Sequence, residues 1–244
     1  MLDIVIPVFN EALNIEKCFN ALSNQVKTAF QVWVVYDFPE DNTIPVIQKI
    51  KNQYLFPIHW IQNTITPGPA YAIQTGLKAT QGEAVLVVMA DLSDNMQDVD
   101  RMYQQVQQGA DLVCGSRYMK GGKQMGGPWI KKVMSRIAGL SLYYLAQFPT
   151  HDATNNFKMY SRKFIHETDI QSTQGFVIGL ELVTRAFIGH YQIREVPTIW
   201  TDRVAGQSKF KILKWLPLYL YWYCQALKFG VKKQLGLKSK NNLV

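Results

Sequence analysis

LDIVIPV, at residues 2–8, is a short apolar run rich in β-branched residues that breaks at Pro7 and Asn10. Such a run is typical of a buried strand that enters a loop. Four further apolar runs follow at 31–36 (QVWVVY), 57–61 (PIHWI), 84–89 (AVLVVM) and 110–114 (ADLVC). The segments between them are long enough for helices, as over 12–26. The alternation predicts βαβ units and a parallel sheet in an α/β fold.

Downstream of these units lies a glycine-rich, basic stretch, residues 115–128, which contains SRYMKGGKQMGGP. Its glycines discourage regular structure and predict a mobile loop, which could act as a lid. Beyond it the apolar spacing predicts further elements: helices near 129–147 and 175–189, and strands near 155–160 and 191–197.

The composition restricts the class of protein. With 244 residues, 48% of them hydrophobic and 18% charged, the chain predicts one large or two small globular domains rather than a disordered chain. Three distant cysteines without a CxxC pair argue against a disulfide framework or structural zinc site. Since no signal-like basic segment precedes the first strand, we expect a cytoplasmic protein. Motifs of dinucleotide enzymes, P-loop NTPases, zinc proteases and α/β-hydrolases are absent.

The net charge of +8 is concentrated at one end of the chain. Residues 201–244 hold nine Lys/Arg against Asp202 alone, whereas residues 1–200 hold 17 Lys/Arg and 17 Asp/Glu. This excess suits an anionic surface, either nucleic acid or a membrane, unless it is only a solvated tail. Because residues 201–244 lack RRM, KH and helix-turn-helix patterns, we expect no nucleic-acid partner.

The segment 213–229 (LKWLPLYLYWYCQALKF) predicts a helix that is apolar nearly all round. Only 13 residues separate Lys214 from Lys228, fewer than the roughly 20 that a spanning helix needs. Its five Trp and Tyr residues suit a membrane–water interface, so the sequence predicts membrane contact through 213–240 at the inner face of a membrane. The alternative is a terminal helix packed on the core or in a dimer interface.

Acidic residues follow several of the predicted strands: Glu11, Asp37, Asp41, Asp91 and Asp94. In open α/β sheets, ligands bind outside the carboxyl ends of the strands. Asp91 and Asp94 follow the run AVLVVM directly and could bind Mg²⁺ or Mn²⁺ shared with substrate phosphates. Alternatively, these two carboxylates cap the helix that follows.

Eight blocks in order show a specific resemblance. They are IVIPVFNE (4–11), VVYDFPEDNT (34–43), TPGPAYAIQTGL (66–77), VVMADLSDN (87–95), DLVCGSRY (111–118), HDATNNFKMYS (151–161), GFVIGLELVTRA (175–186) and EVPTIWTDRVAGQSKF (195–210). The first five resemble the inverting family 2 glycosyltransferases. The last three resemble their polyprenyl-phosphate sugar synthase branch, the dolichol-phosphate mannose synthase-like enzymes.

This resemblance implies a GT-A-like three-layer fold with a central, mostly parallel sheet and an interfacial C-terminal helix. It divides the chain into a catalytic domain, 1–210, with a nucleotide-sugar half (about 1–115) and an acceptor half (about 116–210). Residues 211–244 would form a membrane-associating helix and a basic tail. The implied activity is metal-assisted transfer of a sugar, with inversion, from a nucleotide-diphosphate donor to a polyprenyl-phosphate acceptor.

The resemblance also implies roles for individual residues. Pro7, Glu11 and Asp37 would line the nucleotide pocket, and Asp91 would be the main metal ligand. Arg117, Arg203, Ser208 and Lys209 would meet phosphates of the donor or acceptor, and Asp152 would face the acceptor. The acid-free stretch 117–136 adds further basic groups, among them Lys131.

Three blocks depart from the family pattern. Met89 replaces an acid of the usual Asp-x-Asp, so a ligand is missing or Asp94 supplies it. The second block reads Tyr36, Asp37, Phe38 and Pro39 where relatives read Asp-Asp-Gly-Ser, and Asn156 replaces a common glycine.

The sequence does not decide which chemical group accepts the sugar. A phosphate acceptor is already ionised, whereas a hydroxyl on a lipid-linked glycan needs a base, for which Asp152 and Glu181 are the candidates. A degenerate, non-catalytic sugar-nucleotide-binding protein is the other alternative.

Overall fold

The computed structural model describes residues 1–203 and 212–237. The strands are β1 Leu2–Pro7, β2 Phe30–Tyr36, β3 Ile58–Gln62, β4 Ala84–Val87, β5 Leu112–Ser116, β6 Lys123–Met125, β7 Lys158–Ser161, β8 Ile193–Pro197 and β9 Ile199–Thr201. The α-helices are α1 Ile15–Gln25, α2 Thr43–Ile50, α3 Pro69–Ala79, α4 Val99–Gln107, α5 Trp129–Ala146, α6 Arg162–Glu167, α7 Ile178–Ile188 and α8 Ile212–Gln234.

Seven strands form one sheet in the order β3-β2-β1-β4-β7-β5-β8. Only β7 runs antiparallel, to β4 and to β5, so the carboxyl ends of β1, β2, β4 and β5 share one edge. The predicted α/β class and mostly parallel sheet are confirmed. Apolar side chains point to both faces of these strands because helices cover both faces.

The two faces of the sheet carry separate apolar cores. One core packs α1, α2 and α4 against the sheet through residues such as Phe19, Ile47 and Met102. The other packs α3, α7 and α8 against the opposite face through residues such as Leu77 and Leu182. The three-layer arrangement is therefore also confirmed.

The glycine-rich stretch 115–128 is more regular than the sequence predicts. Within it β6 pairs in parallel with β9 to form a separate two-stranded sheet. The expectation of no regular structure was wrong here, because the glycines take the flanking turns: Gly121, Gly126 and Gly127 all have positive φ. The strand between them is free to pair.

The C-terminal helix α8 packs on the domain rather than standing apart from it. Trp215, Trp222 and Phe229 are buried in the second core, and the Ser141 hydroxyl lies 2.9 Å from that of Tyr223. The sequence predicts an interfacial position for both tryptophans, and this prediction is wrong. Their indole rings bury apolar surface against α5 and α7 and are not exposed to a membrane. No helix within 1–203 and 212–237 is long and apolar enough to span a membrane.

Candidate active site

A cavity of about 1030 Å³ lies at the carboxyl ends of β1, β2, β4 and β5, beneath α5 and α8. It is lined by most of the residues predicted from the sequence as site residues: Pro7, Glu11, Asp37, Asp91, Asp94, Arg117, Lys131 and Arg203. Strand order explains this gathering, since parallel strands place the residues after their carboxyl ends along one edge. The predicted Ser208 and Lys209 lie outside the described residues.

Two carboxylates meet where β4 ends. The Asp91 Oδ1 accepts a hydrogen bond from the Ser93 amide (3.1 Å), and its Oδ2 lies 2.9 Å from Nη2 of Arg203. The Met89 amide donates to Asp94 Oδ2 at 3.4 Å. Burial, followed by the charge of Asp91, raises the pKa of Asp94 to about 7. Asp91 and Asp94 thus bring two carboxylates to the same part of the cavity wall.

The capping alternative for these acids receives no support from the hydrogen bonds. The short turn 96–98 before α4 is capped by Asn95, whose side chain accepts from the Gln97 amide, and α4 itself begins after Asp98. Asp91 and Asp94 lie upstream of that cap and line the cavity. Both carboxylates thus belong to the cavity wall, where Asp91 is paired with Arg203.

Arg117 follows β5 and enters the cavity with its guanidinium fixed by Asp152. The Asp152 Oδ2 accepts from Arg117 Nε at 2.6 Å and from its amide at 3.1 Å, and Oδ1 accepts from Nη2 at 2.9 Å. Burial alone would raise the pKa of Asp152, but the Arg117 charge lowers it below its usual value. Asp152 is completely buried and does not line the cavity.

This geometry changes the role predicted for Asp152. A carboxylate that accepts three hydrogen bonds from one arginine, and a fourth from the Asn155 amide, is a weak base. Its hydrogen bonds instead fix the position of the Arg117 guanidinium. The Glu181 carboxylate is also engaged by other groups, away from the cavity. It accepts hydrogen bonds from the amides of Gln171 and Ser172 and forms an ion pair with Arg185.

A buried lysine supports the loop that carries Asp152. Lys158, on β7, has no exposed surface and donates through Nζ to the carbonyl oxygens of Ala153 (3.1 Å) and Asn155. Burial lowers its pKa. The Asn155 side chain in turn donates to the Gly115 carbonyl at 2.9 Å. These bonds fix the cavity wall beside Arg117.

The opposite end of the cavity is built around Asp37, which follows β2. Its Oδ1 accepts from Asn63 Nδ2 at 2.8 Å, and its Oδ2 accepts from the Gly68 amide at 2.9 Å. Gly68 stands at φ 141°, a conformation suited to glycine, immediately before α3. Asp37 thereby fixes the loop that begins α3, while Glu11 lines the wall beside it.

Polar side chains of α5 connect the loop 115–128 to the cavity. The Tyr118 hydroxyl donates to Gln124 Oε1 at 2.9 Å and lies 2.5 Å from the Ser135 hydroxyl. Lys132 Nζ donates to the Gln124 carbonyl at 3.1 Å. Lys131, one residue earlier, lines the cavity itself.

Much of the remaining cavity wall is apolar, although polar side chains also line it: Gln124, Ser135, Ser141, Thr154, Asn155, Asn156 and Asp202. The apolar part is formed by side chains of α5, α7 and α8: Met134, Ile137, Leu142, Leu180, Trp215, Leu216, Tyr219, Leu220 and Tyr223. One continuous space therefore joins the acidic and basic groups at the sheet edge to an apolar groove between α5 and α8. It can hold a ligand with a charged head and an apolar chain.

Residues 3–168 match glycosyl transferase family 2. The chain belongs to this family. It is 27% identical over 214 residues to a dolichol-phosphate mannosyltransferase of Pyrococcus furiosus, covering 85% of this chain but only 58% of the relative. It is 27% identical over 227 residues to a polyprenol monophosphomannose synthase of Mycolicibacterium smegmatis, covering 87% of this chain and 85% of the relative.

A solved structure supports the fold of this family 2 chain. Glucosyl-3-phosphoglycerate synthase of Mycobacterium tuberculosis, in complex with Mn²⁺, UDP and glucosyl-3-phosphoglycerate, superposes with a TM-score of 0.65 at 16% identity. The similarity covers 98% of this chain and 81% of that one. Because the identity is low, the comparison shows the fold only.

The donor atoms of this family 2 site suit a hard divalent cation. Asp91 and Asp94 supply carboxylate oxygens, and Mg²⁺ commonly uses one or two carboxylates together with substrate phosphates. The described residues contain no group of three or more His, Cys, Asp or Glu side chains placed to hold a metal on their own. These two carboxylates would hold a cation if substrate phosphates supplied its remaining ligands.

Sequence reasoning missed several residues of the site. Ser135, Asn155 and Trp200 line the cavity, and Lys158 supports its wall. Lys131, Ser135 and Ala138 are spaced by four and three residues, so the helical period of 129–147 could have placed them on one face. Nothing in the sequence marks the contact between Lys158 and the Ala153 carbonyl.

Proposed function

We propose that the protein transfers a sugar from a nucleoside-diphosphate donor to a polyprenyl phosphate, with inversion and assisted by Mg²⁺ or Mn²⁺. The observation that carries this proposal is one continuous cavity, whose charged half adjoins an apolar half between α5 and α8. A soluble acceptor has no need of such an apolar groove. A lipid phosphate needs both halves.

The charged half suits the departure of a nucleoside diphosphate. Asp91 and Asp94 would hold the cation, which when bound neutralises charge on the diphosphate. Arg117 and Lys131 bring fixed positive charge into the same space, and Arg203 lies at its edge beside Asp91. Preorganised cations stabilise the charge that develops on a leaving group without reorganisation at the moment of reaction.

Pro7, Glu11 and Asp37 line the part of the cavity that we assign to the nucleoside. The donor half would then comprise residues 1–115. The acceptor half, residues 116–210, would act together with α8, which closes the cavity over it. This division places the two substrates on opposite sides of Arg117.

A phosphate acceptor also fits the state of the two base candidates predicted from the sequence. Among the described residues, both base candidates, Asp152 and Glu181, are buried in ion pairs with arginines. An ionised phosphate oxygen would attack the anomeric carbon while the bond to the donor diphosphate breaks on the opposite face. The nucleoside diphosphate leaves, and no proton has to be removed from the acceptor.

The names of the relatives support this choice of substrates. Both curated relatives are named as enzymes that place mannose on a polyprenyl-type phosphate. The structural neighbour was solved with Mn²⁺ and UDP, a divalent cation and a nucleoside diphosphate. We infer the same classes of cofactor and donor for this chain, together with a peripheral position on the inner face of a membrane.

The test is a transfer assay with the full-length protein. Radiolabelled UDP-, GDP- and dTDP-linked sugars would be incubated with polyprenyl phosphate and Mg²⁺ or Mn²⁺, and label in the lipid extract would be counted. We expect label from one donor class, and NMR of the product should show an inverted anomeric centre. Donor binding without transfer would instead favour a non-catalytic binding protein. Label transferred only to a soluble phosphate would refute the lipid acceptor.

A further inference from the structure

The outer side of α5 carries an apolar stripe that no other part of the described structure covers. Its exposed members recur at helical spacing: Trp129, Ile130, Val133, Met134, Ile137, Tyr144 and Leu145. Ile137 is 62% exposed and Tyr144 is 71% exposed. Along this stripe runs a shallow groove lined by Val133, Leu140, Tyr144 and their neighbours. An apolar surface of this extent marks an interaction site.

The adjacent helix α8 extends the same kind of surface. Gln234 donates to the Leu145 carbonyl at 2.9 Å, which fixes the end of α8 against α5. While α8 buries its tryptophans, Leu220, Tyr221 and Val231 are exposed. These residues and the α5 stripe are together called the apolar face below.

The two helices that carry the apolar face have charged residues of one sign only. Helices α5 and α8 contain seven basic residues and no acidic residue: Lys131, Lys132, Arg136, Lys214, Lys228, Lys232 and Lys233. A second copy would bring an equally basic face against this one, which disfavours self-association. An anionic lipid surface supplies the complementary charge, at about 1 kcal/mol for each basic residue near it.

The apolar face shares side chains with the cavity wall on both helices. Met134, Ile137 and Leu220 are exposed on that face and also line the cavity wall. The rim of the acceptor groove is thus made of the same side chains as the surface around it. A lipid chain that entered the groove past these three side chains would contact apolar surface.

We propose that the apolar face of α5, with the exposed side chains of α8, docks on an anionic lipid bilayer with the cavity mouth turned toward the lipid. The proposal deepens the proposed function, since it states how the acceptor reaches the site. It also moves the main membrane contact from residues 213–240, as predicted from the sequence, to α5. The basic residues attract the surface, and the apolar stripe then inserts at headgroup depth.

The test is flotation of full-length protein with vesicles of phosphatidylcholine, with and without phosphatidylglycerol, at low and high salt. The variant is the double substitution Val133→Glu with Tyr144→Glu, because neither residue lines the cavity. The matched control is Leu55→Glu, which places the same charge at a fully exposed apolar residue before β3. Circular dichroism would check that all forms are folded.

We expect wild type and Leu55→Glu to float with anionic vesicles, and the double variant to lose binding by about tenfold or more. Transfer to a short-chain polyprenyl phosphate in detergent should survive in the double variant. Equal flotation of all three forms would overturn the proposal. So would a wild type that never floats, or one that forms a dimer which the double variant dissolves.

The two proposals fail separately in this design. Wild type that floats as expected but transfers no sugar to any polyprenyl phosphate refutes the proposed function and leaves docking supported. Wild type that transfers sugar in detergent but does not bind vesicles refutes docking alone.

Discussion

Replacing Asp152 with asparagine would remove the charge that holds Arg117 in the cavity wall. The substitution keeps the shape of the side chain but leaves a guanidinium that is 10% exposed without its buried counter-ion. Breaking a buried ion pair from one side destabilises a protein by about 3–5 kcal/mol. We expect Asp152→Asn to lower the free energy of unfolding by that amount at pH 7, measured by urea denaturation.

The pH dependence of this loss follows from the lowered pKa of Asp152. A carboxyl group with a depressed folded-state pKa stabilises fully above its unfolded value of about 3.9, and loses that contribution as pH falls through the folded value. The difference in free energy of unfolding between wild type and Asp152→Asn should therefore be constant from pH 7 to about 5 and become smaller below about pH 4. Glu40→Gln, at an exposed carboxylate, is the control.

A loss below about 1 kcal/mol, or one equal to that of the control, would refute the reasoning. It would mean that Arg117 finds water or another partner once the carboxylate is gone. Asp152 would then not orient it.

Three further predictions concern the metal site, the glycine-rich loop and α8. Asp91→Asn should keep the fold and lower kcat by about 10²-fold or more in steady-state assays with Mg²⁺, and Asp94→Asn should show a comparable loss; unchanged activity in either would remove that carboxylate from the site. Hydrogen exchange in residues 115–128 should slow when a nucleotide sugar and Mg²⁺ are added, because a lid orders over bound phosphates; identical exchange would argue against a lid. Trp222→Ala should destabilise the protein by about 3–5 kcal/mol in thermal or urea unfolding, since this indole is buried beneath the Arg185 guanidinium; a change under 1 kcal/mol would show that α8 does not belong to the core.

The sequence predicts the sheet well because its strands are buried on both faces. Runs such as AVLVVM can only be accommodated between two layers of helices, and their order leaves few topologies. The same logic predicts the location of Asp91 and Asp37, since residues after parallel strands share one edge. Hydrophobic periodicity and strand order can be read from one sequence without an alignment.

The errors arise where several elements compete for one residue. The aromatic residues of 213–229 suit a membrane interface and a protein core equally well, and only the packing of α8 on α5 and α7 decides for Trp215 and Trp222. The partnership of Asp152 with Arg117 joins residues 35 positions apart and has no sequence signature. The exposed stripe of α5 could not be predicted from the sequence either. Spacing alone does not tell which apolar face of a helix packs on the core and which stays exposed.

The most direct test of the central claim compares a polyprenyl phosphate with the corresponding free polyprenol as acceptors, using the donor found active in the transfer assay. The cavity joins basic groups to an apolar groove, and the two base candidates predicted from the sequence, Asp152 and Glu181, are held in ion pairs. We therefore expect an acceptor that is already ionised. We predict sugar transfer to the phosphate and none to the alcohol, at equal chain length and metal concentration. Transfer to the polyprenol at a comparable rate would contradict the account.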